Sequence, residues 1–217
     1  MQKLHPFCGS IQQYAERDLE SDPYRLQDCP LCQSKQKLAP HGFYSRTIVD
    51  LDFEGVIRIR RLLCRLCCRT ISLLPDGVLP YLRYSVKVIG VFLKARLNNG
   101  RTLKEAAVAA GQAGMPYQRG QYWLRRFQRQ AESISAALAG LVAPIGASDF
   151  SKKALGMLEE AGWIRAHRFL LEQLRIHLLG WPDFLAPAGI AVKVGTGRSG
   201  ARTLPHNTCI DSESPPA

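Results

Sequence analysis

Cys29-Pro30-Leu31-Cys32 and Cys64-Arg65-Leu66-Cys67 decide how this chain is read. A C-x2-C turn brings two thiolates onto one tetrahedral metal ion, and two such turns supply a full shell of four soft ligands. The 31 residues between the pairs exceed the roughly 15 to 20 of a short zinc ribbon. A long hairpin, or one with an extended loop, is therefore expected. The spacing assigns zinc to Cys29, Cys32, Cys64 and Cys67, with Cys68, directly after Cys67, as an alternative fourth ligand. Redox or disulfide cysteines are the competing reading. They suit a small secreted chain, whereas this one has 217 residues, seven cysteines and an N-terminus, Met1 to Pro6, without an apolar leader. His41 is a further ligand type, but four thiolates already complete the shell. His5-x2-Cys8 and His206-x2-Cys209 have ligand-like spacing, yet both lie in proline-containing terminal segments that offer little rigidity.

The net charge is +11 and its placement is informative. Residues 1–40 carry five Lys/Arg and five Asp/Glu, residues 131–217 carry eight of each, and residues 41–130 carry 16 against five. The whole excess thus lies in the middle of the chain, as a polyanion-binding surface requires. At 46% hydrophobic the sequence can bury a core, and no run approaches 18 uncharged apolar residues, so no membrane span is expected. The expected location is the cytoplasm, in association with the nucleoid.

Outward from the cysteines, residues 1–28 read as an irregular, partly helical lead-in and residues 29–80 as the zinc ribbon. Phe43 to Val49 and Val56 to Leu63 are rich in strand formers. In the second run Ile57 and Ile59 alternate with Arg58 and Arg60, predicting one apolar face and one that presents guanidinium groups. Leu73 to Tyr81 is a turn and connection. Residues 81–131 then read as a helix-turn-helix unit. Ser85 caps a first helix; Thr102-x-x-Glu105 is a capping box for a short helix with inward Leu103, Ala106, Ala107 and Ala110; Gly111 stops it. Pro116 opens a third helix to about Gln130, burying Trp123, Leu124 and Phe127. Its other face carries Arg119, Gln121, Tyr122, Arg125, Arg126 and Arg129. The first three are placed near base edges and the last three at phosphates. The competing reading is a three-helix bundle with a solvated basic face, and the turn from Gly111 to Met115 is longer than usual.

Residues 132–185 read as an apolar helical segment, divided at Gly162, that packs on the bundle or forms a dimer surface. Residues 186–217 read as a disordered tail. Gly195-x-Gly197-x-x-Gly200 matches a dinucleotide fingerprint in letters only, because no βαβ unit follows. The fold class is α+β: a small β-hairpin module on zinc, a mainly helical domain and a helical C-terminal segment.

Cys29-Pro30-x-Cys32, His41-Gly42-x-Tyr44-x-Arg46, Ile57-Arg58-Ile59-Arg60-Arg61-x-x-Cys64-x-x-Cys67 and Thr70-x-Ser72-x-Leu74-Pro75 resemble the zinc-ribbon and helix-turn-helix front end of bacterial insertion-sequence transposases and related transposon-associated proteins. The resemblance implies structural zinc and double-stranded DNA as partner, with a homodimer or a transposase as further partners. Transposases of this kind also carry three metal-binding carboxylates on an α/β domain. The carboxylates after residue 130, from Glu132, Asp149 and Glu159 to Asp183 and Glu213, end no convincing buried strand. The expectation is a zinc-dependent, sequence-specific DNA-binding protein without the catalytic domain, not an enzyme. Two alternatives stand beside it: a ribbon that binds RNA or a protein, and a subunit of an active transposase.

Overall fold

Eleven-residue strands β2 (Ala39–Val49) and β3 (Glu54–Cys64) form the long hairpin that the cysteine spacing predicts. In this computed structural model, residues 1–7, 9–20, 24–147 and 149–182 are described. Cys8, the Gly195 fingerprint, the pair His206 and Cys209, and the tail lie outside them. β3 continues through the second cysteine turn into antiparallel β4 (Arg69–Pro75). The register pairs Tyr44 with Ile59 and Leu62 with Ile71. A shift between Pro40 and Phe43 marks a bulge at Gly42, whose φ of 73° a glycine adopts without strain.

The lead-in is more ordered than expected. Gln2–His5 is a strand, β1, that runs parallel to β4 and completes the sheet order β1-β4-β3-β2. Leu4 is buried there, and α1 (Ile11–Glu16), opened by a Ser10-Gln13 capping box, adds Ile11 and Tyr14 to the same core as Ile48, Ile57 and Ile59. The signal was weak because four residues with one apolar side chain carry no periodicity.

Strand β3 corrects the two-face expectation. Ile57 and Ile59 are buried and Arg58 is exposed, but Arg60 is only 5% exposed. The outer face of the strand is covered at that point: Arg60 Nη1 donates to the Tyr24 carbonyl at 3.4 Å and its guanidinium lies 5.5 Å from the Phe43 ring centre. Period-two alternation orients a side chain; it does not say what lies over it.

The helical part begins at α2 (Val86–Leu97), capped by Ser85, and continues with α3 (Leu103–Ala109), held by the Thr102-Glu105 capping box, and α4 (Tyr117–Leu138). Trp123 sits between Tyr84 and Phe92, with ring centres 4.8 and 5.3 Å away in edge-on contacts. Each such buried aromatic contributes about 2–3 kcal/mol by area alone. Gly120 looks unfavourable for a helix start, but a Cβ there would come 3.0 Å from the Phe92 ring, so glycine lets α4 approach α2. The helix also runs past Gln130 to Leu138, burying Ala131, Ile134 and Leu138. Leu124, expected inside, is half-buried.

α5 (Phe150–Ala161) and α6 (Trp163–Gln173) divide at Gly162, whose φ is 79°. Their apolar faces join the same core as α2, α3 and α4, through Leu155, Leu158 and Leu170. Packing, not an exposed dimer face, accounts for these residues. Three contacts tie the sheet to the connection and helices that follow it. Ser85 Oγ accepts from Val88 N and donates to Asp50 Oδ1 at 2.6 Å, while Ser85 N donates to the Val49 carbonyl. Arg46, the arginine of the His41-Gly42 stretch, donates to the carbonyls of Leu79 and Leu82, and the buried Asp76 carboxylate pairs with Arg168 of α6. The chain after α6 turns back: His177 Nδ1 accepts from Leu179 N at 3.1 Å, which leaves Nε2–H to donate to the Pro80 carbonyl at 3.2 Å.

Candidate metal centre and basic helical face

Both C-x2-C turns have the same local form. The residue after each second cysteine takes a left-handed conformation, Gln33 with φ 60° and Cys68 with φ 54°. That conformation reverses the chain and turns backbone N–H groups inward. In the first turn Gln33 N donates to the Cys29 carbonyl at 2.8 Å and Cys29 N to the Ser34 carbonyl at 3.0 Å. Because β2 and β3 pair antiparallel to their ends, with Ala39 opposite Leu63, the hairpin returns the second turn beside the first.

The four sulfurs of Cys29, Cys32, Cys64 and Cys67 all lie within 4.8 Å of one another. Across the two turns, Cys29 Sγ lies 3.7 Å from Cys67 Sγ and Cys32 Sγ lies 3.7 Å from Cys64 Sγ. A tetrahedron with metal–sulfur arms of about 2.3 Å has sulfur–sulfur edges of about 3.8 Å. The cluster therefore fits one tetrahedrally bound metal ion. Cys68 is exposed and lies outside the cluster, which answers the choice between it and Cys67. Neither His41, which is exposed, nor His5, buried against Tyr24, joins the group.

Hydrogen bonds bias the thiols unequally. Backbone N–H groups of Cys67 and Leu66 and the Ser34 hydroxyl bring the Cys64 thiol down to about 6, and the Ser34 hydroxyl and amide lower Cys32. Cys67 is pushed up to about 12 by desolvation and by the neighbouring sulfurs. The arrangement thus favours the thiolate at Cys64 and opposes it at Cys67, and a cation among the four sulfurs would offset that cost. Ser34 was missed at the sequence level. Its hydroxyl stands 3.4 Å from Cys32 Sγ and 3.7 Å from Cys64 Sγ, and a small hydroxylic residue two places after a cysteine turn is the signal that pointed to it.

The candidate nucleic-acid contacts divide once placed. Arg119, Tyr122, Arg125 and Arg129 are exposed on α4, and Gln121 is half-buried beside them. Arg126 is not available in the same way. Its Nε donates to the Leu179 carbonyl at 2.7 Å, and its Nη2 to the carbonyls of Gly180 at 2.9 Å and Trp181 at 2.7 Å. It anchors the returning segment, and the phosphate role given to it is corrected. On the hairpin, Arg58 is exposed, paired with Glu20 at 3.0 Å and stacked 4.5 Å from the Phe43 ring centre. The buried Arg60 presents no free guanidinium.

The α3–α4 connection turns at Gly111, with φ 70°, and its amide donates to the Val108 carbonyl. Ala106, Ala107 and Ala110 pack into the core shared with the other helices, while Tyr117 to Arg119 at the start of α4 are exposed. No helix among the described residues is long and apolar enough to cross a membrane.

Residues 29–109 match a family model described as "Domain of unknown function (DUF6431)". The match runs from the first cysteine of the cluster to the end of α3, and so takes hairpin, β4, α2 and α3 as one unit. No curated protein and no solved structure matches the chain.

Proposed function

We propose that this chain is a DNA-binding protein, related to the front end of insertion-sequence transposases, whose four cysteines hold a structural zinc ion. The observation that carries the reading is the outward face of α4. Arg119, Tyr122, Arg125 and Arg129 are exposed there, behind a short α3 and a Gly111 turn, in the stretch that holds the chain's whole positive excess. A helix so placed enters the major groove by its N-terminal turns, with Arg119, Gln121 and Tyr122 toward base edges and Arg125 and Arg129 toward phosphates. Zinc is the metal that an all-thiolate tetrahedron selects most commonly. With every coordination position taken by the protein, it would brace the hairpin and leave none for a reacting ligand. Sequence preference, localisation to the nucleoid and a homodimeric or transposase partner belong to the same proposal.

The test uses full-length, zinc-loaded protein and fluorescence anisotropy on duplex DNA flanking its own gene, with unrelated duplex as competitor. Expected are affinity that falls with salt, with a slope of log K on log salt of at least about −3 from the three exposed α4 arginines, and preference for one sequence. Tighter binding to single strands or structured RNA moves the reading to the hairpin, with Arg58 and Phe43 as its face. Salt-insensitive or undetectable binding to every nucleic acid overturns it.

A further inference from the structure

The three helices leave a cleft at their open end. It has a volume of about 590 Å³ and is lined by Arg96 at the end of α2, Thr102 and Leu103 at the start of α3, and Tyr117, Gln121 and Arg125 on α4. This size lies within the range of ligand-binding clefts, far above what one water fills. Its chemistry is uneven. Two guanidinium groups come from different helices, Leu103 and the Tyr117 ring supply apolar surface, and Gln121 supplies an amide.

Arg96 is the residue that needs explaining. Its Nη1 donates to the Arg101 carbonyl at 3.1 Å, which fixes the head group, while its Nε is buried without a hydrogen-bond partner. Among the described residues no carboxylate pairs with Arg96 or Arg125. The acid nearest to Arg96 in sequence, Glu105, is turned back into the capping box, where it accepts from Thr102 N at 2.8 Å and from Thr102 Oγ1 at 3.0 Å. Two cations held at one cleft without a protein anion make a site for an external one, and guanidinium geometry matches phosphate oxygens.

We infer that this cleft holds a phosphate of the DNA backbone between Arg96 and Arg125, with the adjoining deoxyribose against Leu103 and Tyr117. The inference rests on the DNA-binding reading for its ligand, and it adds α2 to the contacting surface. A strand entering here is fixed at one point by two helices, which sets how far α4 reaches into the groove.

The experiment compares wild type with R96K, R96A, R125A, R96A/R125A and, as a reference for the DNA-binding reading, R129A, each full-length, zinc-loaded and checked for unchanged helical circular dichroism. In duplex anisotropy R96A and R125A are each expected to weaken binding roughly tenfold on preferred and competitor DNA alike, with the salt slope shallower by about 1. R96K should recover part of the loss. The double variant should lose less than the product of the single losses, because both groups share one phosphate. Inorganic pyrophosphate, followed by NMR on the Arg96 and Arg125 side chains, is expected to shift both signals in wild type, and to shift the remaining Arg125 signal less in R96A and the remaining Arg96 signal less in R125A. Wild-type affinity and slope in R96A, while R129A still weakens binding, overturns the inference and leaves the DNA reading intact. Pyrophosphate shifts without duplex binding overturn the DNA ligand named here together with the proposed function, and assign the cleft to free phosphate compounds.

Discussion

Replacing Arg126 with alanine tests whether that arginine serves the structure and not the proposed DNA contact. Its guanidinium donates to the carbonyls of Leu179, Gly180 and Trp181 at 2.7, 2.9 and 2.7 Å. A hydrogen bond from a charged group contributes about 1.5–3 kcal/mol net when its loss strands a partner. Three would suggest more than about 5 kcal/mol, but the side chain is only half-buried and water can reach the freed carbonyls. The segment can also loosen without the rest of the chain unfolding. A loss of about 2–4 kcal/mol follows, which for a domain of this size lowers Tm by roughly 4–16 °C. R126K should not recover it, since one ammonium cannot serve three carbonyls in the guanidinium plane. Thermal melting gives the total, and hydrogen exchange locates it: amides of Ile176 to Trp181, with Leu178 and Leu179 now 1% exposed, should lose protection before those of α2 or α4. The charge of Arg126 also helps hold His177 below its usual range, so that imidazole should titrate higher in R126A. A variant that melts within about 0.5 kcal/mol of wild type yet loses DNA affinity as R125A does would refute this reasoning and return Arg126 to the binding face.

Three further outcomes are expected. Cys29→Ser or Cys64→Ser should abolish the stoichiometric zinc measured by atomic emission while helical circular dichroism is largely kept, because α2 to α6 share a core that does not include the cluster; full zinc in both variants would show that the ligands are wrong. Gln33→Gly should stabilise the metal-loaded protein by about 0.5–1 kcal/mol in denaturant melts, since a non-glycine residue at φ 60° carries a left-handed penalty of about 1–2 kcal/mol, partly offset by the entropy of an unfolded glycine. His167 and His177 are held down by burial to about 3 and about 4 against an ordinary 6.5. The unfolded chain therefore binds more protons between those values, and stability should fall as pH drops from near 6.5 toward 3. By pH 5 the pair should contribute a loss of about 2–4 kcal/mol. His177→Gln, which can still donate to Pro80 O and accept from Leu179 N, should flatten that slope, and an unchanged slope would exclude His177 as a contributor.

Much of the candidate metal site was legible in the residues because its determinants are local. A C-x2-C turn fixes the separation of its own two thiolates, and strand-forming stretches between two such turns allow only a hairpin that brings them together. The Thr102 capping box, the Ser85 cap and the Gly162 break are likewise decided within a few residues, so helix limits near them were readable. Burial of one face was legible too, wherever apolar positions repeated over several turns or alternated along a strand.

Which arginines face solvent was not legible, because that depends on segments distant in sequence. Arg60 follows the same alternation as Arg58 but is covered by the chain near Tyr24, and Arg126 sits beside Arg125 but meets carbonyls more than fifty residues away. The Ser34 hydroxyl between two sulfurs, the parallel pairing of β1 with β4 and the Arg96 cleft depend in the same way on where separate elements come to rest. By itself the sequence determined the long hairpin and the helix starts, the four metal-fitting thiols and a basic middle segment, but neither β1 nor the strand β4 that runs into the Leu73 to Pro75 stretch read as a turn. Only the tertiary structure decided which charges are bound internally and which remain for a partner, since a hydrogen bond or a covering chain reaches across any separation in sequence once packing closes the distance.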